Sequence, residues 1–367
     1  MKKLLCLFFV LCFVLCGCAG EDPSSTAATE EAAANSPVTV AAESADPIAT
    51  SPVDVRTTKL VHILLPDANS SNWKAAGEDL LMMLENLFYQ VELHYADGSP
   101  VKQAKQITDA IEQKADALVL APVESASLHS ACAEAIQAGI PIISYNRLLM
   151  DTDAVSCYIS FDYQAMGRAL ATEIVSRAGL ETLAEGEVRT IEFFMGSPED
   201  NNTLLLYLGI MEILEPWLHQ GTLVSLSGRT ALEDTCVVDW DADWVARSFS
   251  DYRKEYYDGG VPDIICTVSD EFANACISRM EENPPEVYPL ITGLGGSKTA
   301  VQQLSDGLLT VTASTDLLQL NDQLAATVDA FLTGKEPEFN NPDACHNNAI
   351  TVPAYLCDFE IMTKTEN

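Results

Sequence analysis

Short apolar runs alternate with longer amphipathic stretches from about residue 58 to residue 315. The apolar runs are rich in Val, Ile and Leu, which predicts buried β-strands. Between them, stretches such as "WKAAGEDLLMMLENLF" repeat apolar residues at three- and four-residue spacing, which predicts helices. The ten predicted strands are 59–66, 90–96, 116–122, 141–146, 157–162, 188–196, 222–228, 262–268, 289–295 and 308–314.

These strands fall into two series, 59–162 and 188–314, with helices between successive strands of each series. Repeated strand-helix-strand units predict parallel sheets covered by helices on both faces. One open sheet rarely holds so many strands, whereas two sheets suit two units of ordinary domain size. The pattern therefore predicts an α/β protein with two Rossmann-like lobes.

The N-terminus departs from this pattern. Two lysines precede the apolar run "LLCLFFVLCFVLCG", which is too short to span a membrane comfortably and is typical of a secretion signal. The segment "LCGC" resembles the bacterial lipobox, which predicts a lipoprotein signal peptide over 1–17 and lipid on Cys18. A signal cleaved near Ala19 is the alternative. Residues 18–56 lack aromatic side chains and are expected to form a disordered tether.

Acidic residues dominate the charge of the chain. It has 54 Asp and Glu against 20 Lys and Arg, a formal net charge of −34. Nucleic acid and anionic headgroups would be repelled, so neither is expected as a partner. Attachment to a membrane is therefore expected through lipid on Cys18 alone, at the outer face of the cytoplasmic membrane.

Cysteine and histidine usage favours neither a disulfide framework nor a metal site. No Cys-x-x-Cys pair occurs, and the number of cysteines after Cys18 is odd. Most of these cysteines are expected to be small buried hydrophobes. Cys345 and Cys357, which flank the last strand, are the best candidates for a pair. The histidines are dispersed along the sequence and receive no role: His62, His94, His129, His219 and His346.

Polar residues follow several predicted strands, and ligands of open parallel sheets bind beyond the carboxyl ends of the strands. The buried strand at 141–146 runs directly into Asn146 and Arg147, and a guanidinium in a cleft has to find acceptors. Trp73 and Trp240 add aromatic rings. Indoles, amides and a guanidinium suit the apolar C–H face and the hydroxyl rim of a sugar. The polar sets are 67–73, 123–127, 146–147 and 197–202.

Three of these positions have simpler alternatives. Trp73 could pack the first helix against its lobe. Arg147 could pair with Asp151 or Asp153 across a turn. Asn202 could cap the helix that begins there, a role for which amides are well suited.

From Leu60 to about residue 362 the chain resembles the periplasmic sugar-binding proteins of ABC importers. The xylose-binding and multiple-monosaccharide-binding branch is the most similar. Four segments carry the resemblance: "YNRLL", "YISFDYQAMGRALA", "GSPEDNN" and "GKEPEFNNP". It implies the periplasmic binding protein type 1 fold, two lobes joined by a three-segment hinge.

The resemblance also implies where the chain crosses between lobes. We expect an N-terminal lobe over 57–162 and 316–346. The C-terminal lobe is expected over 163–315 and 347–362. Residues 363–367 would form a short tail.

By position, the resemblance implies that Trp73 is the stacking ring of the first lobe and Arg147 its sugar-binding arginine. Asn146 stands where the family usually has an aspartate. Trp240 would be the aromatic contact of the second lobe, with ordinary lobe surface as the alternative. The ligand-binding candidates are Asn72, Trp73, Asn146, Arg147, Asp200, Asn202, Trp240 and Ser269.

Three positions depart from the family pattern. Gly295 stands where the family has a ligand-binding aspartate, and Thr315 where it has a lysine. Ser269 stands where it has an amide. Loss of a carboxylate together with an ammonium keeps the charge balance of the site, which predicts an altered ligand preference.

The sequence therefore predicts a monomeric, lipid-anchored solute-binding protein that captures a pentose or hexose for the permease subunits of an ABC importer. The alternative is a sensor that presents its closed form to a chemoreceptor or sensor kinase, with a non-sugar or modified-sugar ligand. No P-loop, Gly-x-Ser-x-Gly elbow or metal-ligand cluster is visible in the sequence. Neither catalysis, nor a cofactor, nor a metal is expected.

Overall fold

The computed structural model describes residues 58–364 and confirms the two-sheet α/β architecture. All ten predicted strands are present. The first series consists of β1 (Leu60–Leu65), α1 (Ser71–Asn86), β2 (Gln90–Tyr95), α2 (Pro100–Glu112), β3 (Ala117–Leu120), α3 (His129–Gln137), β4 (Ile142–Tyr145) and β5 (Cys157–Phe161).

The second series begins with a helix and alternates in the same way. It consists of α4 (Tyr163–Arg177), β6 (Arg189–Phe194), α5 (Asn201–Gln220), β7 (Leu223–Val224), α6 (Leu232–Thr235), α7 (Ala242–Tyr256), β8 (Ile264–Thr267), α8 (Asp270–Glu281), β9 (Leu290–Gly295), α9 (Lys298–Asp306) and β10 (Val311–Thr315). Short 3₁₀ segments lie at Leu180–Thr182 and Val238–Trp240. The chain ends with α10 (Leu317–Thr333), β11 (Asn341–His346), β12 (Thr351–Cys357) and β13 (Phe359–Thr363).

Each lobe is built around one sheet. The first has the strand order β11-β12-β5-β4-β3-β1-β2, and the second has the order β13-β10-β9-β8-β6-β7. Antiparallel pairing is confined to β11 with β12 and β10 with β13 in the described part of the chain. Both sheets are therefore mainly parallel, and the carboxyl ends of their strands form the edges at which ligands bind in such folds.

The third crossing between lobes lies later than predicted. We expected the C-terminal lobe to begin again at residue 347, but β12 pairs with β5 in the first sheet. Asn347 explains the difference: it is fully buried, and its Nδ2 donates to the carbonyl oxygens of Leu149 at 3.0 Å and Thr152 at 2.6 Å. This amide fastens the chain to the first lobe, so the crossing falls at Asp358, between β12 and β13.

Strand β7 is shorter than predicted, because the serines that follow it donate hydrogen bonds to a buried carboxylate. Glu192 on β6 is fully buried. Its oxygens accept hydrogen bonds from the Ser227 backbone nitrogen at 3.1 Å, the Ser227 hydroxyl at 2.5 Å and the Tyr257 hydroxyl at 2.7 Å. These donors offset the cost of burying a charge, and the chain leaves the sheet after Val224 to supply them.

Three predictions lie outside the described residues: the signal at 1–17, the lipid on Cys18 and the tether at 18–56. The same holds for residues 365–367 of the predicted tail. Within 58–364, no helix combines the length and apolar character that crossing a membrane requires.

Cys345 and Cys357, the best candidates for a pair in the sequence, are not bonded to each other. Both thiols are free, because Cys345 lies opposite Val352 in the β11–β12 pair while Cys357 is at the far end of β12. The expectation of buried cysteines holds: Cys132 and Cys266, for example, are fully buried.

We predict that these thiols react slowly with alkylating agents. Burial raises the pKa of Cys132 and Cys266 to about 12, and that of Cys345 to about 11, from an ordinary 9.0. Only the thiolate is nucleophilic, so a rise of two units suppresses the reactive form about 100-fold at pH 8. Iodoacetamide labelling followed by peptide mass spectrometry should find these three sites nearly unmodified in folded protein and modified in urea.

The same raised pKa values predict a loss of stability at alkaline pH. A folded-state pKa above the unfolded value stabilises the fold below about pH 9, and that contribution is lost as the pH rises toward 11 or 12. In the labelling experiment, rapid modification of Cys266 in folded protein at pH 8 would contradict the burial that raises its pKa.

Candidate functional site

Asn146 and Arg147 leave the end of β4 through a left-handed turn. Asn146 has φ 60°, a conformation that asparagine tolerates better than most residues. Its backbone oxygen accepts hydrogen bonds from the hydroxyls of Tyr158 and Ser160, each at 2.8 Å. The turn is therefore fixed from β5, and it directs the next residue away from the sheet.

The guanidinium of Arg147 contacts both lobes. Its Nε lies 2.8 Å from Asp200 Oδ2, an ion pair between side chains that are 12% and 5% exposed. The N–H of Nε is not aligned for a hydrogen bond to that oxygen. Nη1 donates at 3.3 Å to the carbonyl oxygens of Pro122 and Val123. The group also lies 5.4 Å above the centre of the Trp73 ring, within cation–π distance.

The contacts of Arg147 and Trp73 bear on the simpler alternatives that the sequence left open for these two residues. Arg147 pairs with Asp200 rather than with Asp151 or Asp153. Trp73 does pack within the first lobe, edge-on against Tyr145 at 5.9 Å, but it remains partly exposed beside the guanidinium.

Asp200 is the N-cap of α5, which places its carboxylate at the junction of the lobes. Oδ1 accepts from the backbone nitrogen of Asn202 at 3.0 Å, while Oδ2 faces Arg147. Negative charge at a helix N-terminus is also favoured by the helix dipole. Asp200 therefore caps the helix, and the capping alternative for Asn202 is wrong.

Asn202 is 3% exposed and joins the lobes directly. Its Nδ2 donates to the Asn146 backbone oxygen at 3.0 Å, and its Oδ1 accepts from the Tyr158 hydroxyl at 3.3 Å. Ser125, on the loop after β3, adds a third link to the start of α5. Its hydroxyl oxygen accepts from the Asn201 backbone nitrogen at 3.3 Å, and its backbone nitrogen donates to Glu199 O at 3.1 Å.

Two buried phenols act as neutral donors in this cluster. Burial raises the pKa of Tyr158 and of Tyr163 far above the ordinary value of 10.0, and the nearby Asp200 carboxylate adds to both shifts. The Tyr163 hydroxyl exchanges hydrogen bonds with the Asn146 side chain at 3.1 and 3.3 Å. Both phenols therefore keep their protons and remain hydrogen-bond donors across the neutral range.

Trp240 approaches the same region from the second lobe. It ends the 3₁₀ segment after β7, has φ 55°, and packs 5.7 Å from Phe272 on α8. Its ring lies directly on Gly196, where a Cβ would overlap Cζ2 and Cη2 of the indole and approach Thr203 Oγ1 to 2.5 Å. The indole Nε1 is buried without a hydrogen-bond partner among residues 58–364.

The remaining two candidates stand apart from the Arg147 cluster. Asn72 is exposed at the second position of α1. Ser269 is the N-cap of α8, and its side chain accepts from the Glu271 backbone nitrogen at 3.1 Å. Within residues 58–364, no hydrogen bond or ion pair joins either residue to Arg147.

Sequence reasoning missed Asp270, a carboxylate on the first residue of α8, shortly after β8, that is 6% exposed. It accepts from Ser297 N and Thr312 Oγ1, each at 2.7 Å. A Cβ at Gly293 would lie 2.5 Å from Asp270 Oδ1, and one at Gly295 would lie 3.2 Å from Oδ2. A side chain at residue 295 would therefore crowd this carboxylate. Its position after a strand was the signal that could have found it.

Two α/β lobes that meet through charged and amide side chains at the ends of their strands define a bilobal binding protein. Residues 61–336 match the periplasmic binding protein domain, and the chain belongs to that family. The resemblance drawn from the sequence is thereby confirmed.

Curated relatives match this chain in sequence over most of their length. The multiple sugar-binding periplasmic receptor ChvE of Rhizobium radiobacter is 27% identical over 83% of this chain and 87% of its own. The D-xylose-binding periplasmic protein of Escherichia coli strain K12 is 23% identical over 81% of this chain and 84% of its own.

A solved structure confirms the type 1 fold. It is an ABC transporter solute-binding protein from Clostridium phytofermentans with bound β-D-glucose. It aligns with a TM-score of 0.79 and 30% identity, covering 83% of this chain and 94% of the other.

Proposed function

We propose that this chain captures one monosaccharide, a pentose or a hexose, between its two lobes and delivers it to the permease of an ABC importer. The contact of Arg147 with Asp200, beside the Trp73 indole, is the observation that carries the proposal. A guanidinium and a carboxylate offer several donors and acceptors to ring hydroxyls, and an indole covers the apolar face of a sugar. A ligand that bonds to both lobes at once favours their closure.

The relatives support this reading. The Clostridium phytofermentans protein holds glucose, and two groups of curated relatives are named for multiple sugars or for D-xylose. These relatives are solute-binding proteins, and we propose no catalytic activity for this chain. A sensor with a non-sugar ligand is not favoured by these comparisons.

The ligand-binding set that we propose is the one expected from the sequence, with Asp270 added. In the first lobe it comprises Asn72, Trp73, Asn146 and Arg147. In the second lobe it comprises Asp200, Asn202, Trp240, Ser269 and Asp270. Asp270, at the start of α8, places a carboxylate near Gly295, where the family has a ligand-binding aspartate.

A thermal-shift screen tests the proposal. The full chain would be heated with glucose, xylose, other pentoses and hexoses, acyclic polyols and nucleosides. A sugar at 100 times its dissociation constant should stabilise the fold by about 2.7 kcal/mol, a shift of several degrees. Stabilisation by a nucleoside or polyol, with no response to any pyranose or furanose sugar, would contradict the assignment.

The family and its periplasmic relatives indicate an extracytoplasmic location. We further propose that Cys18 carries lipid, that residues 19–56 tether a monomeric binding domain, and that the domain lies outside the cytoplasmic membrane. Acyl chains would supply the anchoring energy, because the binding domain itself is strongly acidic.

Replacing Cys18 by alanine should move the protein from the membrane fraction to the soluble extracytoplasmic fraction. The measurement is fractionation followed by immunoblotting, with intact-mass analysis of the wild-type N-terminus. Cys132→Ala, which removes a buried thiol of the binding domain, serves as the control. Equal membrane retention of the Cys18→Ala protein would refute the lipid anchor.

A further inference from the structure

Two histidines that are far apart in the sequence meet on the first sheet. His62 lies on β1, and Glu92 and His94 lie on the neighbouring strand β2. His62 is directly opposite Glu92 in the register, and alternate residues of a strand share a face. The imidazole rings are therefore stacked, with centroids 5.4 Å apart and planes 13° from parallel.

The carboxylate of Glu92 lies close to a nitrogen of each ring. Its Oε2 is 3.1 Å from His94 Nε2 and 4.0 Å from His62 Nδ1. One ligand atom from each of the three side chains lies within 4.8 Å of the others. Tetrahedral zinc with bonds of about 2.0–2.2 Å sets its ligand atoms about 3.4 Å apart, so small side-chain rotations would complete the geometry.

The burial of His62 is the second, independent observation. This side chain is 1% exposed, and neither of its ring nitrogens has a hydrogen-bond partner within the described part of the chain. Buried polar atoms are usually paired, because an unpaired one costs free energy. A bond from a ring nitrogen to a metal ion would remove that cost.

The surroundings give an ion a route to this cluster. Strand β2 is at the edge of the first sheet, and the side chains of Glu92 and His94 are 41% and 35% exposed. His62 is only the third residue of β1, and its neighbour on the same face, Leu64, belongs to the apolar layer formed with Ile107 on α2. The cluster thus lies on a helix-covered face of the sheet, whereas Asn146 and Arg147 follow the carboxyl end of β4.

We propose that His62, Glu92 and His94 bind one divalent transition-metal ion, with water as a further ligand. Two imidazole nitrogens and a carboxylate oxygen suit zinc, copper or nickel rather than calcium or magnesium. Such an ion would fasten the edge strand β2 to β1. The histidines are dispersed along the sequence, but His62 and His94 are neighbours in the folded protein.

Zinc is the probe for the test. The full chain, stripped with a chelator, would be titrated with zinc in competition with a chromophoric chelator. We expect one site that is lost in His94→Gln and in Glu92→Gln, with the dissociation constant raised at least about 100-fold. Loss of a group that only hydrogen-bonds to a metal ligand already lowers metal affinity about 10- to 100-fold, and loss of a ligand itself should cost at least as much. Both side chains are partly exposed, so the variants should fold, which circular dichroism would verify.

A matched control is His219→Gln. His219 is exposed and lies 3.4 Å from Glu215, so it resembles a surface histidine-carboxylate pair without the third ligand. This variant should bind zinc as the wild type does, and zinc should raise the melting temperature of both. In cobalt-loaded protein, the visible bands of a low-coordinate site should disappear only in the His94 and Glu92 variants. Unchanged zinc affinity in those two variants, or equal loss in His219→Gln, would overturn the proposal.

Discussion

Arg147→Ala is expected to weaken monosaccharide binding by at least about 100-fold, or about 2.7 kcal/mol. Hydrogen bonds to a charged group contribute about 1.5–3 kcal/mol each, and the guanidinium presents several donors in a fixed fork. The substitution also removes the counter-charge of Asp200, whose side chain is 5% exposed. An unpaired carboxylate at that depth disfavours contact between the lobes, because opening would return it to water.

Isothermal titration with the sugar that stabilises the wild type most would measure this loss. Arg168→Ala is the matched control, because Arg168 forms an exposed ion pair with Glu212 at 3.3 Å within the second lobe. Exposed pairs contribute little, so the control should bind sugar normally. An affinity of Arg147→Ala within threefold of wild type would show that the guanidinium serves the lobe contact alone.

Gly196→Ala is expected to have the second largest effect. The added Cβ would overlap the outer ring of Trp240, and a rigid indole cannot yield without leaving its position over residue 196. We expect a loss of about 1–3 kcal/mol in the free energy of unfolding. If Trp240 contacts the sugar, affinity should fall about 30-fold, since buried aromatic contacts contribute about 2 kcal/mol.

The double variant Gly196→Ala/Trp240→Phe separates these two effects. Phenylalanine lacks the outer indole atoms, so the overlap with residue 240 disappears and only the close approach to Thr203 Oγ1 remains. The stability should therefore return toward that of Trp240→Phe alone. Urea unfolding of the four proteins gives the coupling energy between the two positions. Additive losses would mean that the alanine at 196 strains something other than Trp240.

The hydrophobic pattern predicted the architecture because each buried parallel strand is a short apolar run bounded by polar residues. The end of the first lobe was harder to predict. Strand β12 carries alternating buried residues such as Val352 and Ala354, a pattern that fits either sheet. The crossing is decided by Asn347 and its two carbonyl partners, which are distant in sequence.

The candidate site was predictable where polar residues follow strands, as for Arg147 and for Asp200 at the start of α5. Their partners were not predictable. Tyr158 lies inside a strand that reads as pure core, and its role depends on meeting the Asn146 turn and Asn202 across the lobes. The histidine cluster was not predictable either, since only the register of β1 and β2 brings His62 beside Glu92 and His94.

A crystal structure grown with the best-stabilising sugar tests the central claim most directly. We predict density for one monosaccharide that contacts Arg147 of the first lobe and Asp200 or Trp240 of the second, with one face against the Trp73 indole. A sugar bound outside the junction of the lobes, or absent from it at a concentration that saturates the thermal shift, would contradict the account.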